Sequence, residues 1–107
     1  MDAHIEKVYV PMTETGFYIL FSLREANHGY GIAQKVKQLT NEEIQLSPGT
    51  VYGSLSKMEK DKLIAFEGET EKRKLYRITS LGEEVLNLEL KRIKRLYDTV
   101  RRETENE

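Results

Sequence analysis

The chain has 107 residues, with 17 lysines and arginines against 18 aspartates and glutamates, a net charge of −1 and no cysteine. That length suits one small domain; the charge excludes a globally basic nucleic-acid binder, so any polyanion contact must be local, and the missing cysteines exclude disulfides and thiolate metal sites and fit a reducing cytoplasm. The first ten residues lack a basic segment followed by an apolar run, and Phe17 to Phe21 is far too short to span a bilayer, so neither a secretory signal nor a membrane segment is expected.

Residues 1–12 read as an N-terminal arm or short helix: Ile5, Val8 and Tyr9 have helical spacing until Pro11 breaks the run. Thr13 is suited to cap a helix running to about Ala26, apolar on most sides through Phe17, Ile19, Leu20, Phe21 and Leu23, and therefore central. Ala26 to Gly31 reads as a turn. The next helix spans about Tyr30 to Leu39, with Ile32, Val36 and Leu39 on one stripe, and a polar connection follows from Thr40 to Gln45. Ser47 caps a third helix with Pro48 at its first position; Val51, Leu55 and Met58 face inward, and it ends near Lys62. Leu63 to Glu67 and Arg73 to Thr79 then alternate as two short strands joined by Gly68 to Lys72.

Ser80 and Glu83 form a capping-box pattern at the start of a long helix that reaches about Arg102. Leu81, Val85, Leu88 and Leu96 make one apolar stripe. Leu86, Leu90, Ile93, Tyr97 and Val100 make a second, spaced 4, 3, 4, 3, which is a heptad seam for a second copy of the chain. The expected organisation is an arm over 1–12, a winged helix-turn-helix over 13–79, a dimerisation helix over 80–102 and a frayed tail over 103–107. The fold class is mainly α (α+β), three helices followed by a two-stranded wing and a long C-terminal helix.

In that arrangement the third helix enters a DNA major groove and the wing touches flanking backbone. The face opposite its inward stripe carries Gly49, Gly53, Ser56, Lys57 and Lys60, flanked by Thr50 and Tyr52, with Ser47 at its front. Small residues permit close approach, while hydroxyls, lysines and the helix N-terminus suit phosphate. Taken alone, two lysines on a helix equally describe a solvated face. Lys72, Arg73, Lys74 and Arg77 shift the balance, because the fold sets these four cations beside the third helix. Long bidentate base readers are scarce there, so DNA shape and phosphate contacts should outweigh direct base readout. No catalytic residue, metal site or cofactor is expected: the histidines, His4 and His28, lack ligand spacing, and no nucleophile elbow or phosphate-binding glycine loop occurs.

The segments Glu14 to Leu23, His28 to Ile32, Leu46 to Ile64, Lys72 to Glu84 and the helix beyond them together resemble the PadR-like transcriptional regulators, in particular the short subgroup with a single C-terminal helix. The resemblance covers nearly all of residues 13–100. It implies a dimeric DNA-binding repressor, often released by a small aromatic or drug-like compound. Thr50, Tyr52, Gly53 and Lys57 would then lie at the DNA with Tyr30, Arg73 and Lys74, and the N-terminal arm would pack on the partner subunit. Some drug-sensing members stack their ligand on a tryptophan of the long helix. The matching position here is Ile93 and the chain has no tryptophan, which leaves an apolar pocket lined by Phe17, Ile93 and Tyr97 as the candidate ligand site. Two rivals remain: a winged-helix module that binds proteins, and a ligand-binding dimer without a primary DNA role.

Overall fold

In the computed structural model, which describes residues 2–105, each of the five helices opens on a side chain that accepts one of its otherwise unsatisfied backbone N–H groups. Asp2 caps α1 (Ala3–Tyr9), Thr13 caps α2 (Glu14–Ser22), His28 caps α3 (Gly29–Leu39), Ser47 caps α4 (Pro48–Lys60) and Thr79 caps α5 (Ser80–Thr104). Between α4 and α5 lie β1 (Ile64–Thr70) and β2 (Arg73–Ile78), paired antiparallel. The three central helices and the wing appear in the expected order, and the architecture is the winged helix-turn-helix with a long terminal helix. No described helix is long and apolar enough to cross a membrane.

The N-terminal segment is a helix, and it docks on its own chain: Ile5 and Tyr9 are buried in the core of the same protomer. The helix that begins at Thr13 stops at Ser22, short of the expected Ala26, because the chain straightens to reach the wing. Asn27 forms an isolated bridge with Tyr76, exchanging hydrogen bonds at 3.0 and 2.9 Å, and the Ile78 N–H donates to the Leu23 carbonyl at 2.8 Å. The glycines expected in a turn before α3 lie within its first turn instead. A Cβ on Gly29 would come within 2.8 Å of the Tyr52 ring, and one on Gly31 would strike the Asn27 carboxamide. At the other end of α4 the helix closes at Lys60, and Lys62 turns the chain at φ 65°.

The wing is longer than its sequence suggests. Gly68 reads as a turn, yet it sits inside β1 at φ 131°, beside a bulge that shifts the register between Phe66↔Tyr76 and Gly68↔Leu75. The reversal takes only Glu71 and Lys72, both left-handed at φ 51° and 66°, the backbone of a type I′ turn that Asn-Gly would ordinarily announce. Thr79 rather than Ser80 caps α5; its hydroxyl accepts the Gly82 N–H at 3.1 Å and donates to the Lys62 carbonyl at 2.6 Å. That helix runs to Thr104, two residues past the expected end, so the tail assigned to 103–107 is partly helical, and residues 106 and 107 lie outside the described chain.

Ile19, Leu20, Leu23, Ile32, Val36, Leu63 and Val85 are wholly removed from solvent and hold α2, α3, α4, the wing root and the front of α5 together. Burying a side chain of this kind contributes about 1.5–3 kcal/mol each. Gly82 permits the last of these contacts, since a Cβ there would collide with the Leu63 carbonyl.

Candidate nucleic-acid interface

The α4 helix is fixed from its start. The Ser47 hydroxyl oxygen accepts the Thr50 N–H at 3.2 Å and donates to the Thr50 hydroxyl at 3.0 Å, and Pro48 occupies the first turn. Val51, Leu55 and Met58 are buried, which turns Gly49, Thr50, Tyr52, Gly53, Ser56, Lys57 and Lys60 outward, all exposed. A Cβ added at Gly49 or Gly53 would meet nothing within 4 Å. These glycines are therefore not demanded by packing inside the chain, and the space before them is free for a surface to approach.

Around this face the fold gathers aromatic and cationic groups from three elements. Tyr52 lies over Gly29 of α3 and remains 57% exposed; Tyr30, next along, is 59% exposed. The Arg73 guanidinium of β2 stands 5.3 Å from the Tyr30 ring centre, a cation–π contact that ties wing to α3, while Gln34 donates to the Tyr30 hydroxyl at 2.8 Å. A cavity of about 320 Å³ opens between Tyr30, Ala33, Leu46, Pro48 and Tyr52. The expected residues Tyr30, Thr50, Tyr52 and Arg73 thus lie on one side of the molecule.

The wing cations are not equally available. Arg77 is held by Glu67, with Nε donating to the carboxylate at 2.8 Å, and Lys74 stands across from Glu69 in the strand register. Lys72 sits in the turn beside Glu71. Glu69 thus stands opposite Lys74 and Glu67 reaches Arg77 diagonally, whereas Arg73 faces Thr70, a partial compensation that the basic run alone does not show. Exposed pairs of this kind contribute little to stability, at most about 1 kcal/mol, so Arg77 can exchange partners readily. On α4, Lys57 lies 5.2 Å from the Tyr9 ring centre, near the end of α1.

The candidate dimer residues separate into two sets. Leu86 is only 4% exposed and belongs to the core of its own chain, whereas Leu90, Ile93, Tyr97 and Val100 project from α5 with at least 40% of their surface open. Leu96, placed in the other stripe by its spacing, joins them as an exposed apolar side chain. Of the candidate ligand residues, Phe17 and Ile93 line a cavity of about 560 Å³ with Tyr18, Phe21, Leu90 and Arg92; Tyr97 is not in its wall. Phe17 stacks on Phe21 at 5.9 Å and meets Tyr18 edge-on at 5.7 Å.

Two polar features escaped the sequence reading. Glu89 is wholly buried; its carboxylate accepts the Met12 N–H at 3.1 Å and three bonds from Arg92, two from Nε and the shortest, 2.7 Å, from Nη2. Its position one turn after Val85 on the core stripe, with an arginine three residues on, was the available signal. The Tyr9 hydroxyl donates to Asp61 at the end of α4 at 2.6 Å, and burial together with that carboxylate pushes its pKa upward. His28 caps α3 through Nδ1, which accepts the Gly31 N–H at 3.1 Å. Among the described residues, no group of three or more acidic or histidine side chains is gathered to hold a metal.

The family model described as the transcriptional regulator PadR-like family matches residues 19–88. An uncharacterised protein of Lysinibacillus sphaericus is 38% identical over 69 residues, 61% of this chain and 63% of that protein's length, so the match spans less than two thirds of the curated relative. A transcriptional regulator from Clostridium thermocellum shares the fold with a TM-score of 0.71 at 21% identity, over 95% of this chain and 96% of that one. The PadR of Bacillus subtilis, solved in complex with operator DNA, is 26% identical with a TM-score of 0.63, over 75% of this chain and 48% of its own.

Proposed function

The chain belongs to the PadR-like family of transcriptional regulators, and from that membership we propose that it acts as a homodimeric repressor whose paired α4 helices enter successive major grooves of an inverted-repeat operator. The observation that carries this reading is the open outer face of α4. Gly49 and Gly53 leave unfilled space that nothing in the chain requires, and Thr50, Tyr52, Lys57 and Lys60 surround it with groups suited to phosphate. Ser47 and Ser56 complete the face at its front and along its side. Tyr30 and the wing residues Lys72, Arg73, Lys74 and Arg77 flank it, with Arg73 the most directly placed by its contact with Tyr30. Double-stranded DNA is the partner, and no enzymatic step is assigned.

The second partner is another copy of the chain. Leu90, Ile93, Leu96, Tyr97 and Val100 form an apolar row too exposed for a lone small domain and spaced for a facing helix. The cavity at Phe17 and Ile93 adjoins this row, and a small apolar or aromatic ligand seated there would release DNA by favouring a dimer geometry that no longer matches the operator.

Selection of bound fragments from a random DNA pool tests the reading. The expected result is a palindrome with half-sites about one helical turn apart. Recovery of no enriched sequence would overturn it, as would a selected sequence without two-fold symmetry for the dimeric part.

A further inference from the structure

We propose that Tyr9 and Glu89 are positioning residues that make α1 and the segment after it a connecting rod between the dimer helix and the DNA-facing helix. The inference rests on the regulator reading above and adds how the two halves of that machine are kept in register.

The rod has a fastening at each end. At one end Glu89 of α5, wholly buried and gripped by Arg92, accepts the backbone N–H of Met12. A buried carboxylate held by several hydrogen bonds is an expensive group to move, because any displacement strands a charge away from water. At the other end Tyr9, itself 5% exposed, donates to Asp61 at 2.6 Å, and Asp61 is the residue that ends α4. Lys57, on the next turn inward, lies over the same ring. Tyr9 and Met12 are separated by two residues, so a shift of α5 has a short path to the end of the recognition helix, through one hydrogen bond at each end and the chain between them. Glu89 also forms part of the wall of the large cavity beside Phe17 and Ile93, so whatever occupies that cavity touches the first fastening.

A purely structural role for these residues would alter melting temperature and nothing else. A rod makes a different demand: loosening either fastening should relax the distance the dimer insists on between its two half-sites. The measurement is affinity of the full-length protein for its selected operator and for versions with one or two base pairs inserted or removed at the centre. Wild type is expected to reject the altered spacings. In Tyr9→Phe the loss of one charge-assisted bond should reduce that rejection by about threefold to tenfold, with half-site affinity unchanged. Glu89→Ala, which removes the acceptor of the Met12 N–H, should do the same from the other end. Asp61→Asn, which still accepts the Tyr9 hydroxyl, should restore wild-type discrimination that Asp61→Ala loses. Ile19→Val, a buried trim that removes no hydrogen bond of either fastening, should lower melting temperature without touching spacing. Wild-type discrimination in both Tyr9→Phe and Asp61→Ala would overturn the rod, as would equal relaxation in Ile19→Val. In either case specific binding by the wild type leaves the regulator reading standing. Absence of specific binding by the wild type would overturn both.

Discussion

Over its first turns α5 places Gly82, Val85, Leu86 and Glu89 against α2 and the wing, and every one of them is buried; from Leu90 onward the same helix carries Ile93, Leu96, Tyr97 and Val100 into solvent. Nothing in the residue types separates the two stretches, since both are amphipathic at helical spacing. The difference lies in what faces them. The front half meets its own chain, so its side chains are set by volume and its one glycine by a carbonyl it must clear. The rear half meets its own chain only loosely, at the cavity that Leu90 and Ile93 share with Phe17 and Phe21, and in the proposed reading its exposed apolar residues answer to a second copy. A helix can therefore obey two sets of constraints in succession, and the change falls at Glu89 and Leu90, where the buried carboxylate stands next to the first exposed leucine.

Truncation should expose that change most sharply. Leu86→Ala is expected to cost about 2–5 kcal/mol in urea unfolding. Leu96→Ala, measured in a chain made monomeric, should cost no more than about 0.5 kcal/mol. Similar losses at the two positions would erase the distinction. Monomers should come from Leu90→Asp combined with Ile93→Asp, with the helix content of the winged domain kept; a dimer persisting in light scattering would show that the rear half is not the seam. Glycine supplies the next contrast. Gly82→Ala should destabilise by about 1–3 kcal/mol through overpacking, whereas Gly53→Ala, with open space before it, should gain up to about 1 kcal/mol of helix stability and yet weaken DNA binding. A Gly53→Ala protein that binds as wild type would remove the argument from the bare face. The smallest effect concerns the wing: Arg73→Ala and Lys57→Ala should each flatten the salt dependence of binding by about 0.9 per phosphate contact, and Arg77→Ala by less, because Glu67 already holds that guanidinium.

The inward stripe of α4, Ile32 and Val36 of α3 and the order of the elements were legible because each depends on local periodicity, whereas Leu39, expected on the α3 stripe, is exposed at the helix end. The Ser47-Pro48 start was legible for the same reason, its chemistry lying within one turn. Features set by contacts across the chain were not. His28 and the two following glycines read as a turn, and only the approach of Tyr52 and Asn27 shows why the helix needs glycine there. Glu71 and Lys72 carry no type I′ signature, and the strands on either side impose the reversal. Leu86 fits the heptad seam by spacing alone, and its burial follows from α5 lying over the core rather than from anything in the helix. Of the outward residues of α4, exposure could be deduced from the stripe beneath them, while the placement of Glu69 opposite Lys74 and the reach of Glu67 to Arg77 required the folded wing.

The bridge between Asn27 and Tyr76, with its neighbouring bond from Ile78 to Leu23, stitches the wing to the loop that leads into α3. In the proposed reading, each protomer then grips its stretch of operator as one inflexible caliper. A base pair inserted within a half-site would separate wing contacts from helix contacts inside one protomer, with no joint to absorb the error, and should be tolerated even less than one inserted between half-sites. The grammar of the operator would consist of two rigid words and a gap of set length.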